Sequence, residues 1–93
     1  MTNDTYQQQR QEGARLIVQK GNELAQHHDI KLDKIEWNGG QPIARRTGHV
    51  LAATANDKTV TAEFPDEWLA DYPGRAGTEK ANAVLSEIMR QLR

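Results

Sequence analysis

The chain has 93 residues, enough for one domain with one small core. Its 12 Lys and Arg against 13 Asp and Glu leave a formal charge of -1, without the basic excess that phosphate binding draws on. It has no cysteine, which excludes disulfides and thiolate metal sites, and no apolar run approaches the roughly 20 residues of a bilayer span.

Residues 1–9 are polar, with three consecutive glutamines and no signal-peptide core, so a flexible N-terminal segment, frayed or forming a polar first turn, and a cytoplasmic setting are expected. The single α+β domain is expected over 10–93. From Arg10 the pattern turns helical. Ala14, Ile17, Val18, Gly21, Leu24, Ala25 and His28 recur at three- and four-residue spacing and make one apolar stripe. Gly21 lies on it, where a second backbone can approach. The helix is expected to end between His27 and Asp29.

Residues 30–37 read as a strand, with Ile35 and Trp37 alternating with charged neighbours. Asn38-Gly39-Gly40 is a turn signal and Pro42 continues the irregular stretch. Residues 47–64 read as a β-hairpin turning at Asn56-Asp57, two residue types that tolerate positive φ. If Ala55 pairs with Lys58, then Ala53 faces Val60, Leu51 faces Ala62 and His49 faces Phe64 on the core side. Val50, Ala52, Thr54, Thr59, Thr61 and Glu63 occupy the other face. A short helix follows from Pro65 to Tyr72, with Asp66 and Glu67 at its positive end. A loop over 73–77 leads to Thr78 as N-cap of a last helix. Ala81, Val84, Leu85, Ile88, Met89 and Leu92 form that helix's apolar stripe. The order is helix, three strands, short helix, helix: an antiparallel sheet with both long helices on one face.

The polar residues offer few routes to catalysis. His49 could act as a general base, but Ser86, the chain's one serine, lies mid-helix, and no nucleophile elbow is present. Asp66, Glu67 and Asp71 read as solvated charge at a helix start. His27 and His28 are neighbours on a helix and diverge by about 100°, so they do not converge on an ion. No metal and no cofactor is expected. Gly74-Arg75-Ala76-Gly77-Thr78 opens a helix, whose free N–H groups could hold an anion, but a loop and cap explain it more simply. Trp68 reads as a core aromatic, and Tyr72 as partly exposed.

The α-β-β-β-α order resembles that of double-stranded RNA-binding domains. Gly39-Gly40-Gln41-Pro42 stands where that family has a Gly-Pro loop. Gly74, Gly77, Thr78, Glu79, Lys80 and Ala81 stand at its Gly-rich entry to the last helix. The resemblance implies an RNA surface made of Arg45, Arg46, Arg75 and Lys80. The family's lysine cluster is replaced here by Glu79 and Lys80, which removes phosphate contacts across the groove.

The reading favoured by the residues is a non-enzymatic module that binds a protein, or a second copy of itself. Its contact surface is Val50, Ala52, Thr54, Thr59 and Thr61, with Tyr72 beside them. Nucleic-acid binding through Arg45, Arg46, Arg75 and Lys80 is the second reading, and a small enzyme built on His49 the third.

Overall fold

The computed structural model describes residues 2–41, 43, 48–72 and 74–93, with the backbone alone for 2–6 and 75–77. Helix α1 runs Thr2–His27, strand β1 Lys34–Trp37, and a 3-10 turn Asn38–Gly40. Strands β2 (Gly48–Ala55) and β3 (Lys58–Pro65) follow, then α2 (Asp66–Asp71) and α3 (Arg75–Leu92). The sheet is antiparallel in the order β1-β2-β3. The expected α+β architecture is the observed one. No helix among the described residues is long and apolar enough to cross a membrane.

Helix α1 starts at Thr2 rather than Arg10, so of the two expectations for the polar start, a frayed end or a polar first turn, the backbone has the helical one, continuous with the rest. Its buried line is Arg10, Gly13, Ala14, Ile17, Gly21 and Ala25. Those are three- and four-residue steps along one face. The helix ends in a Schellman turn. Asp29 takes φ 56°, its N–H donates to the Gln26 carbonyl (3.2 Å), and the Ile30 N–H donates to the Ala25 carbonyl (2.8 Å). This turn rotates His28 off the stripe. The expected buried histidine is exposed, like His27.

The close backbone approach is at Gly13 rather than Gly21. A Cβ on Gly13 would run into the Leu69 carbonyl of α2. A Cβ on Gly21 would meet only the ends of the Ile35, Leu85 and Met89 side chains. The missing side chain at Gly13 therefore lets α1 and α2 touch backbone to backbone.

The hairpin has the expected register: Ala55 with Lys58, Ala53 with Val60, Leu51 with Ala62, His49 with Phe64. Asn56 and Asp57 take φ 54° and 65°, the type I′ geometry that matches strand twist. Strand β1 is shorter than expected but pairs along β2, Ile35 with Ala53 and Trp37 with Leu51. Helices α1 and α3 lie on the face carrying His49, Leu51, Ala53, Ala55 and Phe64, all buried. The α3 stripe of Ala81, Leu85, Ile88, Met89 and Leu92 closes this core, each large side chain contributing about 1.5–3 kcal/mol by leaving water. Phe64 stacks edge-on against Trp37 (5.1 Å) and Trp68 (5.8 Å), which fills the end of the sheet nearest α2.

Helix α3 begins at Arg75 with Gly74 as N-cap. Thr78, expected as the cap, is already inside the helix, and its N–H donates to the Gly74 carbonyl at 3.1 Å. A glycine cap with β-region φ/ψ starts the helix one turn earlier. Pro42, the Arg45-Arg46 pair and Pro73 lie outside the described residues.

Candidate functional site

The face of the sheet turned away from the helices is open. Antiparallel pairing sets Lys34, Thr54 and Thr59 in one row and Glu36, Ala52 and Thr61 in the next, with Val50 and Glu63 opposite each other beyond them. Val50 is 42% exposed, the large hydrophobic side chain that stands out in solvent among the described residues. Thr59, Thr61 and Glu63 are exposed, and Ala52 and Thr54 are half-buried between their neighbours. The Thr54 and Thr59 hydroxyls bond each other (2.9 Å), and Lys34 pairs with Glu36 (3.2 Å). The surface therefore has a neutral centre of small residues with charges confined to its rim. Lys34 and Glu36 were missed from the sequence because the strand containing them reads only as having a wet side. Pairing with β2 decides which side they share.

Tyr72 does not belong to this surface. It is 9% exposed, packed in the core, and its hydroxyl donates to Asn82 Oδ1 of α3 (3.0 Å). Burial pushes its phenol above the ordinary tyrosine value, and the charge of Glu23 adds to the shift. The expected partial exposure fails because α1 and α3 both close over the end of α2.

Behind the sheet lies a polar chain that joins five segments. Arg10 of α1 grips Asp66 of α2 with two nitrogens, Nε to Oδ1 at 2.6 Å and Nη2 to Oδ2 at 2.9 Å. Its Nη1 donates to Gln7 Oε1 (2.6 Å), and Gln7 Nε2 donates to the Ile43 carbonyl (2.7 Å). On the other side of Asp66, Oδ1 also bonds His49 Nε2 of β2 (2.7 Å). His49 Nδ1 meets Asn38 Nδ2 (3.2 Å), and Asn38 Oδ1 accepts the Val50 N–H (2.9 Å).

The tautomer follows from this order. Val50 can only donate, so the Asn38 atom facing it is oxygen. The other amide atom is the NH₂ group, which donates to His49 Nδ1. The histidine proton therefore sits on Nε2 and points at Asp66. For Asp66, burial raises the carboxyl. The hydrogen bonds from Arg10 and His49, with the charge of Arg10, outweigh burial and hold it below the ordinary aspartate value. Asp66 is thus not the solvated helix-start charge expected from its position.

Chemically the chain is a clamp. The Arg10 side chain is 4% exposed, Asp66 17% and His49 0%, so the imidazole presents no face to a substrate. Both of its nitrogens are occupied, and among the described residues no serine or threonine hydroxyl is a partner. Of the cations expected to meet nucleic acid, Lys80 is exposed on α3 and Arg75 begins that helix, while Arg45 and Arg46 lie outside the described residues. Arg10, Gln7 and Asn38 were not singled out from the sequence. The one local signal was Arg10, which falls in phase with the apolar stripe.

No family model, curated protein or solved structure matches this chain. Its likeness to double-stranded RNA-binding domains rests on element order and the short glycine-containing matches at 39–42 and 74–81.

Proposed function

We infer that the chain is a non-enzymatic protein-binding module that docks through the open face of its sheet, with Val50, Ala52, Thr54, Thr59 and Thr61 as the contact surface. The observation that carries this reading is the exposed, uncharged centre of that face, with Val50 standing out of it. Recognition surfaces commonly have a desolvated centre depleted of charge and a polar rim. Lys34, Glu36 and Glu63 supply such a rim. Alanine, valine and threonine lose little rotamer freedom on contact, which keeps the ordering cost of association low. The clamp behind the sheet holds β2 against α1 and α2, so the surface is rigid before a partner arrives. A chain without cysteine depends on no disulfide, which suits the reducing cytoplasm.

The test compares Ala52→Glu with Ala83→Glu, an exposed site on α3. Both should stay folded, with stability changes within about 0.5–1 kcal/mol. A protein retained by the immobilised parent should be lost with Ala52→Glu and kept with Ala83→Glu. Equal retention by both would sink the reading. A parallel titration with duplex RNA and DNA addresses the second reading. Binding that weakens steeply with salt, is lost on Arg45→Ala or Lys80→Ala, and survives Ala52→Glu would put a nucleic-acid surface in its place.

A further inference from the structure

We propose that β3 pairs edge to edge, antiparallel, with β3 of a second copy of this chain, centred on Thr61, to make one continuous six-stranded sheet. This edge is a different surface from the open face, so either reading can fail without the other.

Type I′ geometry at Asn56-Asp57 decides which backbone groups point outward. In a two-residue hairpin the residues flanking the turn, Ala55 and Lys58, exchange both of their hydrogen bonds, and bonded and non-bonded pairs then alternate along the ladder. Lys58, Val60, Ala62 and Phe64 therefore turn their N–H and C=O groups towards β2. Thr59, Thr61 and Glu63 turn theirs away from the sheet. Strand β2 bears out this alternation. The Val50 N–H goes to Asn38, and the Thr54 carbonyl accepts from Asp33, both on the β1 side. Among the described residues, no backbone bond joins the outer edge of β3 to another segment.

Sheet edges in stable monomers are usually blunted by proline, a bulge, a central charge or short length. Strand β3 has eight residues in unbroken one-to-one register, with Pro65 only at its last position and an uncharged centre of Thr59-Val60-Thr61-Ala62. The opposite edge, β1, has four residues and carries the Lys34–Glu36 pair.

A two-fold axis at Thr61 engages every outward group at once. Thr61 pairs with Thr61 of the second copy, and Thr59 with Glu63 of the second copy, twice by symmetry. Each is a bonded pair that exchanges two N–H···O contacts. A shift of the axis to Val60 leaves Glu63 outside the strand-to-strand ladder. On the open face the antiparallel sense places the Thr59 hydroxyl of one strand beside the Glu63 carboxylate of the other, and no like charges are set opposite each other. On the helix side, half-buried Val60 lies opposite Ala62 of the second copy, and both lose their remaining contact with water. The assembled sheet keeps all its helices on one side and doubles the width of the open face.

Sedimentation over a concentration series reaching about 1 mM would populate even a small interface. The parent should reach twice its monomer mass there. Thr61→Pro removes an N–H that faces outward only, a position where edge strands accept proline, so it should leave a folded monomer by circular dichroism. Because the chain has no cysteine, Thr61→Cys gives a single thiol. A short bis-maleimide should link it to Thr61→Cys of the second copy, about 5.5 Å away between Cα atoms. Thr54→Cys, on the same face but on the middle strand, should stay unlinked. A parent that remains monomeric throughout, or cross-linking at Thr54→Cys in preference to Thr61→Cys, would overturn the pairing; the latter would indicate face-to-face stacking.

Discussion

At the scale of single residues, Asp66 carries the most consequence. Its carboxylate serves Arg10 from α1 and His49 from β2 at once. Its native-state value is depressed below the ordinary 3.8, so the unfolded chain binds more protons than the folded one as the pH falls past that point. The contribution is fully present above the ordinary value and is lost as the pH falls through the depressed one. Urea titrations across the acid range should show this limb in the parent and a flatter one in Asp66→Asn. Parallel limbs would sink the assignment. At neutral pH, Arg10→Met should cost about 3 kcal/mol, the lower end for breaking a buried pair, because Asp66 keeps some contact with water. The sequence placed His49 correctly opposite Phe64 on the core face. It did not reveal the clamp, because Arg10 and Asp66 stand 56 residues apart and only the fold brings them together.

Between elements, the two glycines of α1 make opposite predictions. Gly13→Ala must push α2 away from α1, since the added methyl has no room beside the Leu69 carbonyl. Overpacking of this kind costs about 1–3 kcal/mol and outweighs the roughly 1 kcal/mol that alanine gains in helix propensity. Gly21→Ala meets Ile35 Cδ1 at 3.0 Å, the end of a side chain that can turn aside. The propensity gain then survives, and the variant should melt at or above the parent temperature. Thermal denaturation of the pair checks both signs. The apolar stripe predicted Gly21 as the point of approach because it treats the stripe as uniform. Which part of it meets a backbone depends on where α2 lies. The hairpin was legible down to its register, because strand alternation and a two-residue turn are local properties.

Across the whole molecule, α1 is the long strut. At 1.5 Å per residue its 26 residues span about 39 Å, close to the 43 Å longest dimension. Its first turns do more than extend it. Gln7 holds the Ile43 carbonyl and also accepts from Arg10, so the polar start of the chain ties the β1–β2 connection to the clamp. Removal of residues 1–9 should therefore destabilise the domain by about 1–3 kcal/mol, the cost of leaving those buried partners unmade. A truncated chain with the denaturation midpoint of the parent would show that this end behaves as the polar tail its composition suggested.

Local chemistry determined the element order, the apolar faces of both long helices, the hairpin register and the separation of a small-residue face from a core face. Each depends on a repeat of two or 3.6 residues, or on a turn whose φ values few residue types adopt, and all of these operate over a handful of positions. Tertiary structure alone decided that Arg10, Asp66, His49 and Asn38 form one chain, that Tyr72 is covered, and that Lys34 and Glu36 border the open face. Those outcomes depend on which segments arrive beside one another. Burial then selects partners for groups that, in sequence, look like ordinary solvated charge.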